Sequence, residues 1–241
     1  MNWILLYILC FFAVIAVLTI GYFLNNQAIA TVQKYQYKQN KKGVGARELA
    51  TTTFTKLKLT STALVPLRAK KTNYFNTRYN AIKLSPETIY SPYLYDLAIF
   101  LRCANQAKKQ QYNYISSMLY NVFSFISKIV SILFVPSVFI FAIVNISFGQ
   151  EKFAKIATIV ALICYVAIFM VQLLLYYIVQ ARTSKVKEDI KSLETFEEDE
   201  VSALQELIVA LNKYEFFDFT RLSLGIFTLL NPATIFEKKE K

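Results

Sequence analysis

Three stretches without a charged residue constrain this chain more than anything else in it: Trp3–Leu24, Ile129–Phe148 and Ile156–Val179, each of twenty or more positions. At 1.5 Å per residue, a helix of that length crosses a hydrocarbon core roughly 30 Å thick. With 55% apolar and 15% aromatic residues overall, the chain reads as a mainly α-helical membrane protein. The first run resembles a signal peptide at Ala28-Ile29-Ala30, a small-x-small site. However, no Lys or Arg precedes it, and it exceeds the roughly 7–15 residues of an ordinary h-region. An uncleaved anchor is the expectation.

Charge sets the expected orientation. The net charge is +11, and residues 25–118 hold fifteen Lys/Arg against Glu48, Glu87 and Asp96. Basic residues next to spans mark the cytoplasmic side and attract anionic lipid headgroups. Lys34, Lys38, Lys41, Lys42, Lys70 and Lys71 are the candidate membrane-surface contacts. A nucleic-acid partner is not expected, although Tyr and Phe interleave with the basic residues. The layout that follows has an anchor at 1–24 and a cytoplasmic basic α+β region at 25–128. A transmembrane hairpin at 129–180 and cytoplasmic or membrane-associated helices at 181–241 complete it. The N-terminus would lie outside in a multi-pass cell-membrane protein. Segment 216–236 reads either as a fourth span or, preferably, as an amphipathic helix against the bilayer, because Asp218 and Arg221 penalise insertion. Cys10, Cys103 and Cys164 suggest packing thiols rather than disulfides.

Local patterns place the elements between the spans. Gln27–Tyr37 extends the first helix, Gly43-Val44-Gly45 breaks it, and Ala46–Phe54 forms a short helix. Alternation over Thr55–Thr60 predicts a strand, and a second strand covers Asn80–Leu84. Ser85 and Pro86 read as N-cap and first residue of a helix. Leu94, Leu97, Ala98 and Leu101 give Tyr93–Gln111 an apolar helical stripe. Arg182–Ser192 is a charged helix. The acidic run from Glu194 to Glu200 reads as the solvated start of another, with Val201, Leu204, Ile208 and Leu211 on its apolar face.

Asn76-Thr77-Arg78, then Ile82-Lys83-Leu84-Ser85-Pro86-Glu87, then Tyr90, follow one another in an order that resembles the YugP-type bacterial membrane zinc metallopeptidases. Gly45-Ala46 with Leu49-Ala50 resembles that family's Thr-Gly-Ala-x-x-Ala helix start, and the likeness covers about residues 25–232. The resemblance implies a His-Glu-Val-Gly-His helix after the Tyr. Residues i and i+4 share a helix face there, so two imidazoles hold Zn²⁺ while the glutamate activates its water. The corresponding helix here reads Ile99–Ala107, with Cys103 and Ala107 at the histidine positions and Ala104 at the glutamate position. The chain contains no histidine at all. A further acidic ligand is implied within Ile178–Ser184, which holds no carboxylate.

The expected function is therefore that of a membrane pseudopeptidase without zinc or other cofactor. It would act by binding other membrane proteins or itself. Two alternatives are a structural protein on anionic lipid and a membrane peptidase with a non-zinc mechanism. The second would use Ser127 or Ser131 with Lys128, or Cys103 with its thiol pKa lowered by Arg102 and Lys108.

Overall fold

The computed structural model describes residues 3–67, 73–112 and 183–224, together with scattered helical residues between 114 and 174. Its elements in chain order are α1 (Trp3–Tyr35), α2 (Ala46–Lys56), β1 (Ala63–Pro66), β2 (Tyr74–Asn76) and β3 (Ala81–Leu84). There follow α3 (Pro86–Tyr90), α4 (Leu94–Tyr112), α5 (Thr183–Lys191) and α6 (Glu198–Leu224). The chain divides into two units. One comprises Gln27–Asn121 with Tyr176–Tyr214; the other comprises Met1–Asn26, Val122–Leu175 and Glu215–Lys241. The buried hydrophobic cluster lies in the first.

Among the described residues no helix is long and apolar enough to cross a membrane. This overturns the expected multi-pass membrane architecture and the cell-membrane localisation drawn from it. An uncharged run in a sequence makes a span only where the fold builds it into a helix long and apolar enough to cross. The helix that begins at Trp3 does not stop at Leu24 but runs on through Asn25, Asn26, Gln27 and Lys34 to Tyr35. In α4, Asp96, Arg102 and Lys108 interrupt the apolar positions, and α6 opens on Glu198, Asp199 and Glu200. The second expected span lies outside the described residues except Ile129, and about half of the third lies outside them. Of segment 216–236, the part to Leu224 continues α6, and the rest lies outside the described residues.

A three-stranded sheet of order β1-β3-β2 stands beside α4, with β1 parallel and β2 antiparallel to the central β3. Period-two alternation turns Ile82 and Leu84 inward, both fully buried. Lys83 points to the other face, with its ammonium 5.9 Å from the ring centre of Tyr74 and 5.7 Å from that of Tyr79. The β2–β3 turn is closed by Asn76, whose Oδ1 accepts from the backbone N–H groups of Arg78 (3.1 Å) and Tyr79 (3.2 Å). Ser85 caps α3 as expected, accepting from the Thr88 N–H, with Pro86 at the first turn.

The strand expected over Thr55–Thr60 is instead the end of α2. Lys58 adopts φ +56°, the Leu59 N–H bonds to the Phe54 carbonyl at 2.8 Å, and the Lys58 N–H bonds to the Thr55 carbonyl at 3.1 Å. This is a Schellman termination. Its chirality change buries both Leu57 and Leu59, so the alternating apolar pattern is real but belongs to a helix cap. Gly45, just before α2, faces α3 so closely that an added Cβ would lie 3.0 Å from the Ile89 carbonyl oxygen.

The core joins α2, α4, α5, α6 and β3 through Leu49, Ile82, Leu97, Phe100, Ile190 and Leu204. Val201, Leu204, Ile208 and Leu211 are buried, as the sequence pattern predicts. The acidic start of α6 departs from expectation at one residue, because Glu200 is buried at 1% exposure. Its Oε2 accepts from the Glu197 N–H at 3.0 Å, the reach-back half of a capping box. Its Oε1 accepts from the Lys41 N–H at 2.7 Å, tying the loop after α1 to the head of α6. Glu200→Ala leaves both donors without this acceptor, and a loss of about 3 kcal/mol in unfolding free energy is expected. Glu200→Gln, which keeps one acceptor oxygen, loses less; urea unfolding of the two variants measures the difference.

Candidate functional site

The stretch Ile99–Ala107 lies in the middle of α4, and helical periodicity decides which of its side chains face the core. Phe100, Cys103, Ala104 and Ala107 stand at i, i+3, i+4 and i+7, a single face. All four are buried, with exposures of 0%, 5%, 0% and 1%. The positions at which the resemblance would put metal ligands and a general base are thus inward-facing core positions, packed in the cluster that includes α5 and α6.

Two polar ties hold α4 in place from its flanks. Arg102 Nε donates to Asn212 Oδ1 of α6 at 3.0 Å, and Asn212 is itself 9% exposed. Lys108 Nζ donates to both carboxylate oxygens of Asp189 in α5, each at 2.8 Å. This pair is about a quarter to a third exposed, so it is partly shielded from solvent. Lys108 is therefore engaged by Asp189 rather than set to activate Cys103. Asn212 and Asp189 had no motif to announce them; their roles come from lying opposite α4 across more than eighty residues of chain.

At the head of α4, Asp96 accepts hydrogen bonds from the hydroxyls of Thr88 and Ser91. Thr88 Oγ1 in turn accepts from Asn73 Nδ2 at 3.0 Å and from Ser85 Oγ at 3.1 Å. The network joins β3, α3 and α4, and every member is satisfied, so it orients the helix start.

A zinc ion does not fit the residues at the expected ligand positions. Ala107 carries no donor atom, Ala104 has no carboxylate at the place of the base, and a catalytic zinc ordinarily has three protein ligands. Burial pushes the Cys103 thiol up to about 11, against a smaller lowering by the Arg102 guanidinium. In the metal-free protein that holds it as a thiol near neutral pH, whereas a nucleophile must be a thiolate. Among the described residues no group of three His, Cys, Asp or Glu side chains comes together as a metal site. Most of the segment expected to supply a further acid, 178–182, lies outside the described residues, as do Ser127, Lys128 and Ser131. Thr183 and Ser184 open α5.

The basic residues expected at a membrane surface have partners within the chain. Lys34 stands 3.6 Å from Glu206, Lys38 3.6 Å from Asp199, and Lys41 pairs with Glu197 and Asp199. Lys42 Nζ donates to the Glu194 carbonyl at 3.5 Å. Lys70 and Lys71 lie outside the described residues. Lys38, Lys41 and Lys42 thus face the acidic stretch Glu194–Asp199 at the start of α6, while Lys34 meets Glu206 further along that helix; this complementarity is invisible from local charge counting, since about 150 residues or more separate the partners.

This clasp has a defined pH window. The Glu197 hydrogen bond holds the Lys41 ammonium above its ordinary 10.5, and the Lys191 hydrogen bond holds Glu198 below its ordinary 4.5. A raised lysine contributes fully below 10.5 and is lost as pH rises through its folded value. A lowered carboxylate contributes above 4.5 and is lost as pH falls through its folded value.

Residues 8–209 match the model of a family described as "putative neutral zinc metallopeptidase". No curated protein matches the chain, and no solved structure matches it.

Two measurements check this site. Cys103 is expected to stay unmodified by iodoacetamide at pH 8 in the folded protein and to react fully in 6 M guanidinium, followed by mass spectrometry of the peptide that contains it. Thermal midpoints are expected to be level between about pH 5 and 9 and to fall outside that range, the alkaline fall beginning where the unfolded Cys103 thiol ionises and steepening as Lys41 loses its proton. The Lys41→Ala variant should show a shallower alkaline fall than the parent.

Proposed function

The chain belongs to the neutral zinc metallopeptidase family, and we propose that it is a member without peptidase activity that works by binding another protein. The observation that carries this reading is the replacement of the implied ligands and base by Cys103, Ala104 and Ala107, buried on the inner face of α4. Zinc hydrolysis of a peptide bond needs a held metal ion, an activated water and a base for its proton. Two methyl groups and one buried thiol do not make up three metal ligands and a base. A chain with no histidine has no imidazole to substitute from elsewhere.

The rest of the unit supports a binding role. The α4 helix is fastened by Asn212 and Asp189, the three strands pair in one sheet, and both outer strands of that sheet carry exposed side chains at Val65 and Tyr74. An ordered scaffold with exposed side chains on its sheet offers a surface that a partner can use.

Metal analysis of the purified full chain after incubation with excess zinc and desalting tests the first half of the proposal. Far less than one equivalent of retained zinc, and no cleavage of a casein or mixed-peptide substrate, is expected. One equivalent of tightly held zinc together with cleavage that a chelator abolishes would overturn it. Co-purification from the native host tests the second half; one protein retained in fixed stoichiometry is the expected result.

A further inference from the structure

The C-terminal part of α1 runs antiparallel to α6. Gln27 Oε1 accepts from Lys213 Nζ at 3.3 Å, and the Tyr35 hydroxyl donates to Glu206 Oε2 at 2.8 Å. Lys38 pairs with Asp199 beyond the end of α1. Between the first two of these ties the helices do not fill the space between them. Ala28 and Ala210, both buried, place only methyl groups there, and a cavity of about 510 Å³ opens. That volume lies within the range of roughly 300–1,000 Å³ of small-molecule sites.

The α6 wall of this cavity is one continuous face. Ser202, Gln205 with Glu206, Val209 with Ala210, and Lys213 recur every three to four residues. The twelve residues from Ser202 to Lys213 make the face about 16 Å long, so the space is a groove rather than a round hole. Thr31 and Gln27 line it from α1, and Lys187 from α5.

Its charge distribution selects a ligand. Lys187 belongs to α5, which turns directly into the head of α6, and it acts electrostatically on Glu198 there. Lys213 stands about four turns further along α6. Lys213 is met by the neutral amide of Gln27, and among the described residues neither lysine has a carboxylate in ion-pair contact. The carboxylate in the groove wall, Glu206, is already engaged by the Tyr35 hydroxyl and by Lys34. The groove therefore offers a cation toward each end, side-chain amides and hydroxyls between them, and a narrow apolar floor.

We propose that this groove binds a short, linear, acidic ligand of oligopeptide size, whose carboxylates meet Lys187 and Lys213 while its backbone is met by Gln205, Gln27 and Ser202. An extended chain at about 3.3 Å per residue places four or five residues along 16 Å. The site is apart from the α4 core and does not depend on whether the protein cleaves peptides.

Calorimetric titration of the full chain with tetraglutamate, tetra-alanine and tetralysine tests the assignment. Tetraglutamate is expected to bind, with an affinity that falls as salt is raised, and the other two are not. The double variant Lys187→Ala/Lys213→Ala should weaken tetraglutamate at least tenfold, and Ala210→Leu, which fills the floor without touching charge, should weaken it likewise. Equal binding of tetra-alanine, tetraglutamate binding unchanged by all of these substitutions, or no heat at millimolar peptide would each overturn the proposal. Mass spectrometry of the recovered peptide reports on cleavage separately, so loss of the groove assignment and detection of peptidase activity are distinguishable results.

Discussion

The loop between α1 and α2 is the joint on which the described unit depends. Within four residues, its backbone reaches two helix starts. The Lys38 carbonyl accepts from the Leu94 N–H at 2.8 Å, at the head of α4, while the Lys41 N–H donates to Glu200 at the head of α6. Between them Asn40, 5% exposed, donates through Nδ2 to the carbonyls of Pro92 (2.6 Å) and Val44 (2.9 Å), and accepts from the Val44 N–H. A buried amide and a buried carboxylate are costly unless their capacity is met. Here meeting it forces three segments, far apart in the chain, into one arrangement.

That joint explains why α4 sits where it does. Its start is pinned by the loop and by the Asp96 network, and its middle is held by Arg102–Asn212 and Lys108–Asp189. With both ends and flanks set, the inward face has no freedom to rotate Cys103, Ala104 and Ala107 toward solvent. Small residues at 104 and 107 also let α4 pack closely within the cluster that includes α5 and α6. The same positions that in an active relative would need polar, metal-binding side chains are here suited to close apolar packing. Burying a charged ligand in this environment would cost several kcal/mol unless a metal were present to balance it.

The distribution of charge illustrates how far a local reading reaches. A strongly basic stretch beside apolar runs invites interpretation as a membrane-facing surface. In the fold, the lysines at 38, 41 and 42 meet the acidic stretch that opens α6, and Lys34 meets Glu206 further along it. Each exposed pair is worth little by itself, yet they are clustered around the same loop that Asn40 and Glu200 hold. The buried polar contacts set the geometry, and the surface pairs add electrostatic agreement to it.

Much of this unit was legible in order and spacing. The helix from Leu94, the strand Ala81–Leu84, the Ser85 cap with Pro86, the apolar face of α6 and the absence of imidazole all follow from residue types whose preferences act over a few positions. The family itself was legible for the same reason, since its motif segments are local. Tertiary structure decided the rest. Leu57 and Leu59 alternate like a strand but are buried by the left-handed turn at Lys58, a choice made by the core above them. Glu200 reads as one acid in a solvated run until Lys41 arrives from 159 residues away to need its carboxylate. The groove between α1 and α6 exists only because two alanines, remote in sequence, share one buried place. Short-range sterics and hydrogen bonding are written in neighbouring residues, whereas burial and charge pairing depend on which distant segments the fold brings into contact.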